Sequence, residues 1–156
     1  MAVRMTFSFY GDTQLDRTLA RFQERPEDAR PVWDALADRF ATIERRQFKS
    51  EGKYASGGWA PLSPQYAKWK AKRHPGAKIL HLTGDLERSL TQRPFGVEVI
   101  ERHSMAIGSN VPYGKYHQNG TDRMPQRRPV EFTEAERARW VRTLQRYLMT
   151  GEAVVK

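Results

Sequence analysis

Four histidines, His74, His81, His103 and His117, are the side chains here best suited to proton transfer or metal binding. A local metal clip needs ligands roughly three to five residues apart, and no two of these histidines have that spacing. With no cysteine in the chain, thiolate zinc sites, iron–sulfur clusters, cysteine nucleophiles and disulfides are excluded together. A histidine acting as general base needs a carboxylate to orient it. None adjoins His117 within Tyr113-Gly-Lys-Tyr-His-Gln-Asn-Gly120. Other motif matches fail on detail. Gly108 to Lys115 has the wrong glycine spacing for a phosphate loop, and Tyr116 stands where Ser or Thr is required. Ser50-Glu-Gly-Lys53 fits a short acyl-transfer pattern, but the partner motifs are missing. Asn119-Gly120-Thr121 is a glycosylation sequon in a chain without a secretion signal, so Asn-Gly reads as a turn. The expectation is a protein that is not an enzyme and has no cofactor and no metal. His117 is expected to be structural, hydrogen-bonding across its turn or to a neighbouring subunit.

Charge is the stronger signal. Lysine and arginine total 27 against 18 acidic residues, a net charge of +9. The excess lies late: residues 61–156 carry 17 basic and 9 acidic groups, whereas residues 1–60 carry 10 and 9. Arginine outnumbers lysine 19 to 8. Arg139, Arg142 and Arg146 recur at helical spacing near the C-terminus, and Arg123, Arg127 and Arg128 form a second cluster in a loop. A basic surface suits nucleic acid. Arginine also suits protein interfaces, where its planar fork meets carboxylates in pairs. Composition leaves both open. A solvated helix face is the plainest reading of the C-terminal arginines.

The elements that must position these groups follow from periodicity. The 156 residues suit one domain, 1–156, with a core that needs no staples. Val3, Met5, Phe7 and Phe9 alternate with polar residues as in a half-buried strand. Asp12 opens a short helix that closes at Pro26. A longer helix is expected from Asp28 to Lys49, with Trp33, Leu36, Phe40 and Ile43 as its buried stripe; Arg39, Arg45 and Arg46 lie off it. The glycine-rich stretch from Ser50 to Pro64 is expected to be a long loop. Ser63 and Pro64 read as the start of another helix, through about Lys72. Thr83 is placed to cap a short helix carrying Leu86 and Leu90. Residues 95–100 and 104–108 read as a hairpin, followed by a polar loop, 109–128. Thr133 and Glu136 have capping-box spacing before a last helix burying Trp140, Val141, Leu144, Tyr147 and Leu148, with Gly151 ending it. The fold class expected is α+β: a small antiparallel sheet packed with several helices, two long loops and an amphipathic C-terminal helix. No run approaches the roughly 18 apolar residues of a membrane span, so no membrane partner is expected.

Four segments, taken in order, carry a resemblance. They are Trp59-Ala-Pro-Leu-Ser-Pro64 with Tyr66, Ile79-Leu-His-Leu-Thr-Gly84 with Leu86 and Ser89, Ala106-Ile-Gly-Ser109 with Tyr113 and His117-Gln118-Asn-Gly120, and Pro125 to Pro129. Their sequence from about Phe48 to Pro129 resembles the phage virion morphogenesis family, the tail-completion proteins of Mu-like and related contractile-tailed phages. The resemblance implies a non-enzymatic virion part at the head-proximal end of the tail or at the neck. It implies a ring-shaped homo-oligomer that docks to other tail or neck proteins; assembly in the host cytoplasm is expected beside it, and an incidental DNA contact is left open. Trp59, Tyr113, His117, Gln118 and the two arginine clusters are the assembly candidates. Trp59 reads equally as a core plug or as an anchor for a neighbour.

Overall fold

The computed structural model describes residues 28–155. The strand expected at Val3–Phe9 and the helix expected after Asp12 lie outside them. Among the described residues are five helices and one two-stranded sheet. They are α1 (Arg30–Lys49), α2 (Pro64–Arg73), α3 (Asp85–Thr91), β1 (Val97–Ile100), β2 (Met105–Gly108), α4 (Gly114–Asn119) and α5 (Glu134–Thr150). The class is α+β, as the periodicities indicate.

Helix α1 is the spine. The Asp28 carboxylate accepts from the Arg30 backbone N–H at 3.0 Å, which satisfies one of the donors that a first turn leaves free. Pro31 lies in that same turn, where no intrahelical bond is lost. Val32, Leu36, Phe40 and Ile43 are fully buried. Trp33, expected in the stripe, is only half-buried; Val32 takes the inward position one residue earlier. Phe40 meets Phe95 edge to face at 5.3 Å and lies 6.2 Å from Phe132. The core therefore joins α1 to the hairpin and to the segment before α5.

The hairpin is antiparallel, with Val97 opposite Gly108 and Ile100 opposite Met105. Its turn closes through Glu101 N–H donating to Ser104 O at 2.8 Å. Two strands alone are marginal in water, and here Arg93 fastens them to the spine. Its guanidinium bonds Glu98 of β1, and Asp34 and Asp38 of α1 at 2.6 and 2.9 Å. Those carboxylates, Glu98 foremost, raise the Arg93 pKa.

Two caps differ from expectation. Gly84, at φ +82°, is the N-cap residue of α3, while Thr83 stands one residue earlier and bonds Asp85. Thr133 does cap α5, accepting from Glu136 N–H at 3.2 Å. The Glu136 side chain does not reach back to complete a capping box. It is buried instead, bound by Arg39, by Tyr54 Oη–H at 2.7 Å and by Arg139 at 3.0 Å. Burial raises its pKa, but the bonds from Arg39 and Tyr54 outweigh that and the net shift is downward. The charge-assisted bonds from two arginines and a phenol take the place of the single backbone bond a capping box would give. Helix α5 buries Trp140 and Thr143, while Val141, Leu144, Tyr147 and Leu148 are half-buried. Its end is pinned by Tyr147 Oη–H donating to Asp28 O at 2.7 Å, and it stops at Gly151, φ +77°.

Candidate functional site

The glycine-rich stretch after α1 is not slack. Gly52 N–H donates to Gln47 O at 2.9 Å, Ser56 N–H to Gly52 O at 2.9 Å and Trp59 N–H to Glu51 O at 2.8 Å. Gln47 is buried and its Oε1 accepts from Ala55 N–H at 3.1 Å. These bonds fold the segment back so that Trp59 plugs the core, edge-on to Phe48 at 5.3 Å. Glycine is required at 52: φ is +84°, and a Cβ would sit 2.4 Å from Trp59 Cδ1. The Trp59 Nε1–H donates to Arg128 O at 2.8 Å, which ties this segment to residues 126–130.

Helix α2 then starts with Ser63 Oγ accepting from Tyr66 N–H at 3.4 Å and Pro64 in the first turn. Of its residues only Lys70 is buried. Tyr66 and Trp69 stack at 5.4 Å and both are exposed. Lys70 reaches inward to donate to Lys78 O; burial lowers its pKa, partly opposed by Glu51.

The segment 109–128, expected to be a loop throughout, contains helix α4, and the supposed His117-Gln118 turn is its last part. Gly120 at φ +73° ends the helix, which is where the Asn-Gly turn chemistry is spent. Long-range bonds hold this short helix. Gln118 Nε2 donates to Val130 O at 2.9 Å and its Oε1 accepts from Val130 N–H at 3.2 Å. Arg127 N–H donates to His117 O at 2.9 Å. The Arg127 side chain is buried, not part of an exposed cluster: Nε donates to Ala60 O at 2.7 Å and Nη2 to Pro61 O at 2.8 Å. Burial lowers its pKa. The His117 ring makes no hydrogen bond to the described residues; Nδ1 is buried without a partner, and the ring lies edge-on to Tyr113 at 6.0 Å. Burial first, then the nearby Arg127 charge, holds its pKa below the usual value.

These folds place all four motif segments around one groove of about 680 Å³. Pro61, Leu62 and Ser63 come from the first, Leu80 to Thr83 from the second, Tyr113 and His117 from the third, Pro125 and Arg127 from the fourth. Arg123 and Met124 also line it, with Tyr66 and Lys70 of α2. Of the candidates named from sequence, Tyr113, His117, Arg123 and Arg127 meet here. Trp59 and Gln118 stand behind the wall and support it. Arg128 is exposed and pairs with Glu131 at 3.0 Å. Arg139, Arg142 and Arg146 stay on α5 and do not line the groove. Leu62, Leu80, Leu82, Lys70 and Met124 were not singled out beforehand, although the leucines lie inside the quoted motifs. Among the described residues no Asp or Glu lines the groove, although the lining His81 pairs with Glu87 at 2.6 Å just outside it. Among the described residues no group of His, Asp and Glu is arranged to hold a metal ion, and no helix is long and apolar enough to cross a membrane.

Fold and groove together define a small α+β scaffold that presents a recessed surface. Residues 11–149 match the phage virion morphogenesis family, and the chain belongs to that family. It is thus a phage virion morphogenesis protein, with a structural role. No curated protein and no solved structure matches it.

Proposed function

We propose that this chain is a non-enzymatic component of phage tail completion or head–tail joining, working as one domain that assembles into a ring and docks to other tail or neck proteins. The observation that carries the reading is the meeting of the four motif segments around one open groove, on a member of a virion morphogenesis family. The groove offers His117 no carboxylate to orient it, whereas His81, also in the lining, pairs with Glu87 at 2.6 Å, so the non-enzymatic reading rests on the family and not on the groove. A ring is closed by unlike patches meeting head to tail, which an asymmetric surface of this kind permits.

Light scattering of the purified protein, alone and with tail-tube subunits, should show a discrete higher-order species. Electron microscopy should show it as rings or as a cap on tube ends. A strict monomer under both conditions sinks the proposal. The second reading is nucleic-acid binding, favoured by the exposed Tyr66–Trp69 stack on a helix bearing Lys68, Lys72 and Arg73. Such binding weakens steeply with salt through counterion release. Assembly that survives salt while DNA affinity is lost separates the two.

A further inference from the structure

The groove has a chemistry that narrows its occupant. Its floor is aliphatic, from Leu62, Leu80, Leu82 and Met124, and Leu82 is exposed. Its rim is cationic. Arg123 is exposed and makes no ion pair with the described residues, and Lys70 of α2 and Arg127 stand in the wall, with no Asp or Glu among the described lining residues. An aliphatic floor beside Arg123 suits the apolar and acidic side chains of a peptide; phosphates gain nothing from burying leucine, and the lining tyrosines, Tyr66 and Tyr113, are the feature stacked bases would use. The net charge of +9 disfavours a second copy of this chain as the acidic partner at long range.

We propose that this groove docks an extended acidic segment of a different particle protein, with an aliphatic or aromatic side chain in the floor and a carboxylate against Arg123. The inference rests on the reading of the chain as a virion component, and names the chemistry of its partner. A random dodecapeptide library can be selected on the full chain and counter-selected on Leu82→Asp. Enriched peptides should combine Asp or Glu with Leu, Phe or Trp. A labelled synthetic copy of the best one should lose about tenfold or more in affinity on Arg123→Glu and on Leu82→Asp. Both positions are exposed, so the melting temperature of each variant should match the parent. Enrichment of basic or neutral peptides, no enrichment, or equal binding by the variants overturns the proposal. So does tighter binding of oligo-dT, which would assign the groove to nucleic acid. Loss of the homo-oligomer in Leu82→Asp would assign it to a second copy. If the oligomer forms but no acidic peptide is selected, this inference falls and the assembly reading stands.

Discussion

Glu44 lies in the middle of α1, fully buried, with neither carboxylate oxygen hydrogen-bonded among the described residues. An ionised carboxylate in that position is costly, so burial raises its pKa well above the ordinary 4.5. The sign of the linkage follows. Below pH 4.5 both folded and unfolded chains hold the proton; as pH rises through 4.5 the unfolded chain ionises first and stability falls until the folded pKa is passed. Glu44→Met keeps the length and removes the charge. It should stabilise the protein at neutral pH by about 1–3 kcal/mol, the usual penalty for an unsatisfied buried polar group. It should also flatten the loss of stability above pH 4.5, read from urea melts across the range. An unchanged pH slope in the variant would mean that Glu44 finds a partner in solution. The α1 periodicity places residue 44 next to the buried Ile43, but says nothing of what lies across from it; that is why this residue was not legible in the sequence.

At the scale of elements, α4 shows how a short helix survives. Isolated helices of this length are not stable in water, and Gly114 and Asn119 are poor helix formers. What holds it is the double bond of the Gln118 amide to Val130, which imitates a strand pairing. Gln118→Ala leaves the Val130 N–H and C=O without their partner and should cost on the order of 1–3 kcal/mol in thermal melts. Gln118→Glu removes the donor and sets a negative charge against the Val130 carbonyl. It too should destabilise at neutral pH, and should recover part of the loss in acid, when the protonated carboxyl can donate again. Equal stability of Gln118→Ala and parent would show that the motif residue is not a brace, and would return it to the interface candidates. The reading of His117-Gln118-Asn-Gly120 as a turn came from its turn-forming residues. Those residues act only at its end, because the helix is stabilised by a contact twelve residues away.

At the scale of the molecule, three tethers run in series. Gln118 grips Val130, Arg127 grips Ala60 and Pro61, and the Trp59 indole grips Arg128. The two segments expected to be independent loops are thereby one unit, and the groove stands on it. Hydrogen exchange should report this: the Trp59 indole N–H and the Val130 and Arg127 amides should open together, with similar free energies. Exchange at Val130 faster by orders of magnitude than at Trp59 would show two separate units and a groove that is not preformed.

Several features were determined by the sequence alone. The spine helix, the hairpin, the Ser63 and Thr133 caps and the Gly151 stop all depend on residues within a few positions of one another. Periodicity and cap chemistry express such short-range physics directly. The ordered motifs likewise identified the family. Only the tertiary structure decided where those motifs go. Arg127 turning inward, Glu136 leaving its capping box for Arg39, and Trp59 serving as a plug each depend on partners about 66 to 97 positions away. Burial of a charge or an indole is decided by what lies opposite in space, and no local pattern carries that information. The groove itself is of this kind: its four walls are distant in the chain and become one surface only when the core draws them together.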